Sequence, residues 1–210
     1  MLTEQTIRQK MTQGQLRANG VTNSSVVDAF LSINREQFVP EKYKNIAYMD
    51  GSIPISEEQE LLPPKTIGKI LQALDIKKAD HVLQIGAGTG YMSALLAKLA
   101  RQVDIVELYP SLIKDTEKNL EKTKIKNFKI TGHDASFGCK SQTKYDIVIV
   151  SASMPELIEN FLDNLYLNGK LLVILGKAPA MQVTLIEKIA QNKYHRSILF
   201  ETVVPKFVGI

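Results

Sequence analysis

Several features that define whole classes of protein are missing from this 210-residue chain. Cys139 is the only cysteine, so an internal disulfide is impossible and nothing favours a secreted protein. The longest apolar runs, such as 171–175, are far too short to cross a bilayer. The first residues are polar and lack the apolar segment of a signal peptide. Together these absences predict a cytoplasmic protein that does not bind a membrane.

Histidine and concentrated positive charge are scarce as well. His81, His133 and His195 are scattered and have no partners at ligand spacing, so we expect no metal site. They also do not combine with serine and aspartate into a catalytic triad. The net charge is +4, but along 114–129 the basic residues alternate with acids, which is typical of a solvated helix face. Nucleic-acid binding is therefore the less favoured interpretation.

Apolar runs and helical patterns alternate from residue 81 onward, which predicts an α/β fold with a doubly wound, Rossmann-like sheet. A further pair of apolar runs, 181–188 and 197–204, flanks a polar stretch and favours antiparallel strands at the sheet edge. The earlier strands are predicted at 81–85, 103–107, 128–132, 145–150 and 169–175. The helices are predicted at 3–18, 25–33, 65–74, 89–100, 110–122 and 155–164.

The stretch 81–91 joins a predicted strand to a predicted helix through Gly86, Gly88 and Gly90. Such a turn presents backbone N–H groups and the positive end of a helix dipole to a ligand. Glu107 ends the next apolar run, where an acid can accept hydrogen bonds from ribose hydroxyls. Tyr91 replaces the last glycine of a dinucleotide fingerprint, which disfavours a pyrophosphate. The alternative is a turn that only connects strand to helix.

Other polar residues also follow predicted strand ends. Asp134 and Ser151 lie just past two strands, and the carboxyl ends of strands in a doubly wound sheet meet in one crevice. Asp134 could accept a hydrogen bond from an adenine amino group there, and capping a turn is its alternative role. The sequence therefore predicts a small-molecule cofactor site at this edge of the sheet.

The loop 86–90, Gly-Ala-Gly-Thr-Gly, resembles the S-adenosylmethionine loop of class I methyltransferases. Nearly the whole chain resembles the protein-L-isoaspartate O-methyltransferases. The segments that carry this resemblance are REQFVP at 35–40, AYMD at 47–50 running into IPI at 53–55, VLQIGAGTGY at 82–91, DIVIVSA at 146–152 and LNGKL at 167–171.

The resemblance implies a single domain over 1–210. In it, residues 1–75 would form a helical, substrate-covering extension, and residues 76–210 a seven-stranded core that binds S-adenosylmethionine. It also implies methylation of the α-carboxylate of isoaspartyl residues in damaged proteins or peptides, which begins their repair and leaves S-adenosylhomocysteine. This transfer requires no strong base, because a carboxylate is already nucleophilic and the enzyme mainly aligns the reactants and excludes water.

The resemblance also assigns site residues, all numbered in this sequence. The expected cofactor contacts are Gln84, Gly86, Ala87, Gly88, Gly90, Glu107, Leu108, Asp134, Ala135 and Ser151. The segment 56–64 is expected to cover the cofactor and shape the substrate pocket, through Ser56, Gln59, Glu60, Leu62 and Pro64.

Three positions depart from the family pattern. Leu62 stands where the family has an active-site serine, so the catalytic residue stays unassigned, although Ser56 and Thr66 offer hydroxyls nearby. Glu60 replaces a threonine, and Gln84 replaces an acid that can help to bind the ammonium group of the cofactor. These departures leave open a paralogue with another methyl acceptor, or a non-catalytic cofactor-binding protein. The sequence does not indicate an oligomeric state.

Overall fold

A computed structural model describes residues 4–139 and 142–208 of the chain. The strands are β1 (Ile53–Pro54), β2 (Glu60–Leu61), β3 (His81–Ile85), β4 (Gln102–Glu107), β5 (Phe128–Gly132), β6 (Tyr145–Met154), β7 (Leu165–Lys177), β8 (Ala180–Ala190) and β9 (Lys193–Thr202). The α-helices are α1 (Glu4–Met11), α2 (Ser24–Ser32), α3 (Pro64–Leu74), α4 (Tyr91–Leu99) and α5 (Pro110–Lys122).

A seven-stranded sheet runs in the order β5-β4-β3-β6-β7-β8-β9. The pairs from β5 to β7 are parallel, while β8 pairs antiparallel with both β7 and β9. From β3 the chain moves outward through β4 and β5, then returns to the other side of β3 to form β6. This arrangement confirms the predicted α/β fold and its antiparallel edge, and it places a topological switch point between β3 and β6.

Local sequence signals set several helix boundaries. Pro64 and Pro110 occupy the first positions of α3 and α5, where a backbone N–H has no partner within the helix and the fixed φ of proline suits helical geometry. The Asn23 side chain accepts a hydrogen bond from Val26 N at 3.3 Å and so caps α2. These signals explain why the predicted and observed starts of these helices agree within one residue.

Both faces of the sheet are buried, but by different elements. On one face, side chains from α2, α3 and α4, such as Phe30, Leu71 and Leu95, share a core cluster with the sheet residues Ile147 and Val183. The other face packs under a 3-10 turn and loops, in a second cluster that includes Phe161, Leu162, Val148, Val150, Leu171 and Val173. The N-terminal helices therefore belong to the same core as the sheet.

The helix predicted at 155–164 is wrong, because the structure has only a 3-10 turn there, Glu159–Asn164. The preceding strand, β6, extends to Met154 because its last residues find partners. Ser153 pairs with Ile174 of β7 and exchanges backbone hydrogen bonds with Pro205 and Phe207. Residues 155–164 then contain only this turn before β7 begins at Leu165.

The helix predicted at 3–18 changes its hydrogen-bond pattern along its length. It is α-helical in α1, π-helical over Thr12–Leu16 and 3-10 over Arg17–Asn19, and Gly20 ends it at φ +84°. Residue 3 lies outside the described residues. Within the two described stretches of the chain, no helix combines the length and apolar character that spanning a membrane requires.

Candidate active site

A cleft opens at the carboxyl ends of β3, β4 and β6, at the switch point of the sheet. Its empty space, counted to the open mouth, is about 820 Å³, which suits a small organic molecule. Nine of the expected cofactor residues line it, namely Gln84, Gly86, Ala87, Gly88, Glu107, Leu108, Asp134, Ala135 and Ser151. The topology therefore brings together residues that lie far apart in the sequence.

The glycine loop between β3 and α4 is bent by three residues in the left-handed region. Gly86, Gly88 and Gly90 have φ values of +83°, +59° and +89°, which side chains disfavour. A Cβ atom at Gly88 would lie 3.2 Å from Ile55 Cδ1, and one at Gly90 would lie 3.1 Å from Thr116 Cγ2. Gly90 lies against α5 and is the N-cap of α4, and it is not among the residues that line the cleft, so its cofactor contact stays a prediction.

Glu107 holds this loop in place from beneath. The carboxylate is only 5% exposed, and each of its oxygens accepts two backbone hydrogen bonds. Oε2 accepts from Ala87 N at 2.8 Å and Gly88 N at 3.2 Å, while Oε1 accepts from Leu108 N at 2.8 Å and Tyr109 N at 3.1 Å. A carboxylate offers about four acceptor sites, so these four bonds occupy all the hydrogen-bond acceptor sites of Glu107. Glu107 thus fixes the loop, and ribose recognition by it stays a prediction.

Gln84 connects the loop to its two neighbouring elements. Its side chain is buried, Oε1 accepts from Ser93 Oγ at 2.7 Å, and Nε2 donates to Gly86 O at 2.9 Å and weakly to Ser151 Oγ at 3.4 Å. A carboxylate in this position would face the Gly86 carbonyl without a hydrogen to donate. The amide therefore suits the loop geometry of this chain, although it carries no charge to offer an ammonium group.

Asp134 lies at the exposed rim of the cleft, in the turn after β5. Its Oδ1 accepts a hydrogen bond from Ser136 N at 2.8 Å. That bond lowers the pKa of the Asp134 carboxyl below its ordinary value. The turn-capping role is thus present, and the neighbouring Ala135 is buried against the second core cluster. Both residues still line the cleft, where an adenine contact remains a prediction.

A model of the protein-L-isoaspartate(D-aspartate) O-methyltransferase family matches residues 7–207, nearly the whole chain. The chain belongs to this family. Two relatives named protein-L-isoaspartate O-methyltransferase are each 33% identical to it. The one from Methanoculleus marisnigri aligns over 80% of this chain and 77% of its own length, and the one from Petrotoga mobilis over 85% and 84%. Family membership confirms the expected enzyme class, an S-adenosylmethionine-dependent O-methyltransferase.

This chain shares its fold with solved structures. A protein-L-isoaspartate O-methyltransferase superposes with a TM-score of 0.84 at 22% identity, over 96% of this chain and 66% of its own length, so this chain spans about two thirds of that protein. A Plasmodium falciparum structure described as a complex with S-adenosyl-L-homocysteine gives a TM-score of 0.82 at 20% identity, over 99% of both chains. At these identities the match shows the Rossmann-like architecture.

Only part of the expected substrate segment, 56–64, lines the cleft. Gln59, Glu60 and Leu62 line the cleft, and Leu62 is 5% exposed. Ser56 lines a separate surface groove against α5, and Pro64 is buried at the start of α3. Neither of these two residues lines the cleft.

Neither of the two neighbouring hydroxyl residues lines the cleft. Thr66 is buried within α3 and does not line the cleft, and Ser56 lies in the groove described above. The carbonyl of Leu62 instead accepts a hydrogen bond from Arg35 Nη2 at 2.8 Å. Arg35 is fully buried, also donates from Nε to Ala47 O at 2.8 Å, and lies 4.7 Å above the Tyr91 ring.

Two groups of residues at this site are not predicted from the sequence. On α5, Thr116 donates to Gly88 O at 3.1 Å and Asn119 donates to Thr89 O at 3.0 Å. The glycine loop is therefore held by α5 as well as by Glu107. Their spacing of one helical turn on an otherwise apolar face was the available signal. The second group is the C-terminal segment 206–208, which lines the cleft although no local pattern indicates it.

Proposed function

We propose that this protein methylates the α-carboxylate of isoaspartyl residues in damaged proteins, with S-adenosylmethionine as methyl donor. The observation that carries the proposal is the cleft at the switch point. In it, a glycine loop held by Glu107 lies beside the family's substrate segment. The partners are then proteins or peptides with isoaspartyl sites, and the single cysteine favours a cytoplasmic setting.

The residues of the cleft fit the cofactor. Gly86 and Gly88 line the cleft and add no side chain of their own, so a ligand can approach the loop backbone closely. The nine-residue helix α4 starts directly after this loop and directs its positive end to the same place. Polar groups lie at both ends, with Gln84 and Ser151 inside and Asp134 at the rim, which suits an elongated molecule with a polar group at each end.

S-adenosylmethionine, when bound, supplies an activated methyl group on a positively charged sulfur. The protein then needs to hold the acceptor carboxylate in line with that methyl group and to exclude water. Leu61, Leu62, Ile67 and Met92 form apolar walls suited to excluding water. The lone pair of the carboxylate oxygen forms the new O–CH₃ bond as the S–CH₃ bond breaks, so no residue has to remove a proton.

The test is methyl transfer from labelled S-adenosylmethionine to an isoaspartyl peptide, with the matching aspartyl peptide as control and cofactor binding measured separately by calorimetry. We expect label in the isoaspartyl peptide only. Cofactor binding without transfer would refute isoaspartate repair and favour another acceptor. The absence of cofactor binding would refute the methyltransferase activity itself.

A further inference from the structure

The proposed reaction needs a contact that attracts an anion, and Leu62 cannot provide one. The acceptor is a carboxylate, whereas the Leu62 side chain is apolar and neither Ser56 nor Thr66 lines the cleft. Water must also be kept from the transfer, so the acceptor loses part of its hydration on binding. An unpaired carboxylate in that environment would bind poorly. Another group of this chain therefore has to attract it.

Carboxylates, the imidazole of His133 and one lysine are among the ionisable groups that line the cleft. Three carboxylates are present, those of Glu60, Glu107 and Asp134, and the Glu107 carboxylate is already engaged by backbone N–H groups. Among the described residues that line the cleft, Lys206 is the one lysine or arginine. An acceptor carboxylate that enters is repelled by Glu60 and attracted by Lys206.

Lys206 also lies where an acceptor has to pass. A second groove, which we term the acceptor groove, is lined by residues 57–60, Tyr109 and residues 203–208. Lys206 lies at the junction between this groove and the cleft, because it belongs to the residues that line both, which are Gln59, Glu60, Tyr109, Lys206, Phe207 and Val208. A peptide lying in the acceptor groove would bring its carboxylate past Lys206 on the way to the glycine loop.

The backbone around Lys206 is fixed while its side chain is exposed. Pro205 O accepts from Ser153 N at 2.9 Å, and Phe207 N donates to Ser153 O at 2.7 Å, which ties Lys206 to the carboxyl end of β6. The Phe207 ring packs edge-on against Phe161, with 6.4 Å between centroids. Over residues 4–139 and 142–208, none of the salt bridges involves Lys206, so its ammonium group is available to a ligand.

We propose that Lys206 binds the α-carboxylate of the acceptor and so replaces the hydrogen-bond donor that Leu62 lacks. The inference rests on the proposed function, since it assumes a carboxylate acceptor. It also accounts for product release. Methylation converts the carboxylate into an uncharged ester, and the attraction to Lys206 ends with the reaction.

The test measures binding to the protein saturated with S-adenosylhomocysteine, by fluorescence anisotropy of a labelled isoaspartyl peptide. A second peptide carries a carboxamide in place of the isoaspartyl α-carboxylate. We expect the wild-type protein to prefer the carboxylate by about tenfold, the size of a charge-assisted hydrogen bond. Lys206→Gln should remove most of that preference and Lys206→Arg should keep most of it. Lys193→Gln, at an exposed lysine on β9 outside the cleft, should leave it unchanged.

The outcomes separate this inference from the proposed function. A wild-type protein without preference, or a Lys206→Gln variant that keeps it, overturns the role of Lys206. A preference that depends on Lys206, in a protein that transfers no methyl group, supports the role and refutes isoaspartate repair. If transfer occurs, Lys206→Gln should raise KM for the peptide by about tenfold with little change in kcat. An unchanged KM overturns the role while repair stands.

Discussion

At the scale of single residues, Gly88 controls the space in which the cofactor would lie. Its φ of +59° disfavours a branched side chain, and a Cβ atom there would come within 3.2 Å of Ile55. We expect Gly88→Val to weaken S-adenosylmethionine binding by roughly 10–100-fold, through strain in the loop and obstruction of the cleft. Calorimetric titration with the cofactor measures this directly.

The control for Gly88 is Gly14→Val, because a Cβ atom at Gly14 meets nothing within 4 Å. This variant should bind the cofactor as the wild-type protein does. Equal affinities for Gly88→Val and the wild-type protein would show that the ligand does not approach the glycine loop.

Leu62 stands where the family resemblance implies a serine, and the structure shows that the leucine also contributes to the core. We expect Leu62→Ser to raise kcat/KM for an isoaspartyl peptide by about 2–10-fold, since a hydroxyl adds a donor near the carboxylate. The same change should lower the free energy of unfolding by about 2–4 kcal/mol, because it removes a buried side chain. Peptide kinetics and urea denaturation measure the two effects.

Leu61→Ser is the matched control for that variant, because Leu61 is buried to the same 5% and also lines the cleft. It should lose similar stability without a gain in activity. If Leu62→Ser gains no more than Leu61→Ser, the missing serine does not limit the reaction.

At the scale of elements, Arg35 connects the N-terminal 3-10 turn Arg35–Phe38 to the substrate segment and to α4. Burial lowers the pKa of its guanidinium, and two backbone carbonyls depend on it for hydrogen bonds. Arg35→Met should lower the free energy of unfolding by about 2–5 kcal/mol, since it leaves both carbonyls without this donor. Arg101→Met, at an exposed arginine, should lower the free energy of unfolding by less than about 1 kcal/mol. Similar urea midpoints for the two variants would contradict this account.

Elements with strong local signals could be predicted from the sequence almost to the residue. Helix α5 starts at Pro110 and the strands β3 and β5 match their predicted bounds, because apolar runs, prolines and glycines act within a few residues. The extension of β6 to Met154 could not be predicted, since Ser153 near its end forms backbone hydrogen bonds with Pro205 and Phe207 at the far end of the chain. Pairing across that distance leaves no periodic trace in the local sequence.

At the scale of the whole molecule, the switch point explains which site residues the sequence could reveal. Gly86 and Asp134 follow strand ends, and Ser151 follows Val150, the last residue of β6 that pairs with β3. These residues could be assigned to one crevice because the topology follows from the alternation of strands and helices. The four backbone bonds to Glu107 and the entry of Lys206 into the cleft depend on three-dimensional packing. The sequence therefore predicted where the site lies better than how each residue contributes to it.

Tyr91 links the N-terminal helices to the sheet domain and makes the stability of the whole molecule sensitive to alkaline pH. It is fully buried and packs edge-on against Phe30 and Phe38, with 6.1 Å and 5.4 Å between centroids. Burial raises the pKa of its hydroxyl to about 12, and the Arg35 guanidinium opposes this only in part. In the unfolded chain the pKa is near 10. Folding thus favours the protonated hydroxyl.

The sign of the effect follows from proton linkage. Below pH 10 the hydroxyl is protonated in both states, so its contribution to stability is fully present, and between about pH 10 and 12 the unfolded state ionises first and stability falls. The wild-type protein should lose free energy of unfolding between pH 8 and pH 11, and Tyr91→Phe should reduce that loss by roughly 1–2 kcal/mol. Urea denaturation at each pH measures the loss.

The control is Tyr166→Phe, at a tyrosine that is 51% exposed, which should lose as much free energy of unfolding as the wild-type protein does. Burial also raises the pKa of Cys139 to about 11, but that contribution is common to all three proteins and cancels in the comparison. Parallel curves for the wild-type protein and Tyr91→Phe would show that Tyr91 does not link this fold to alkaline pH.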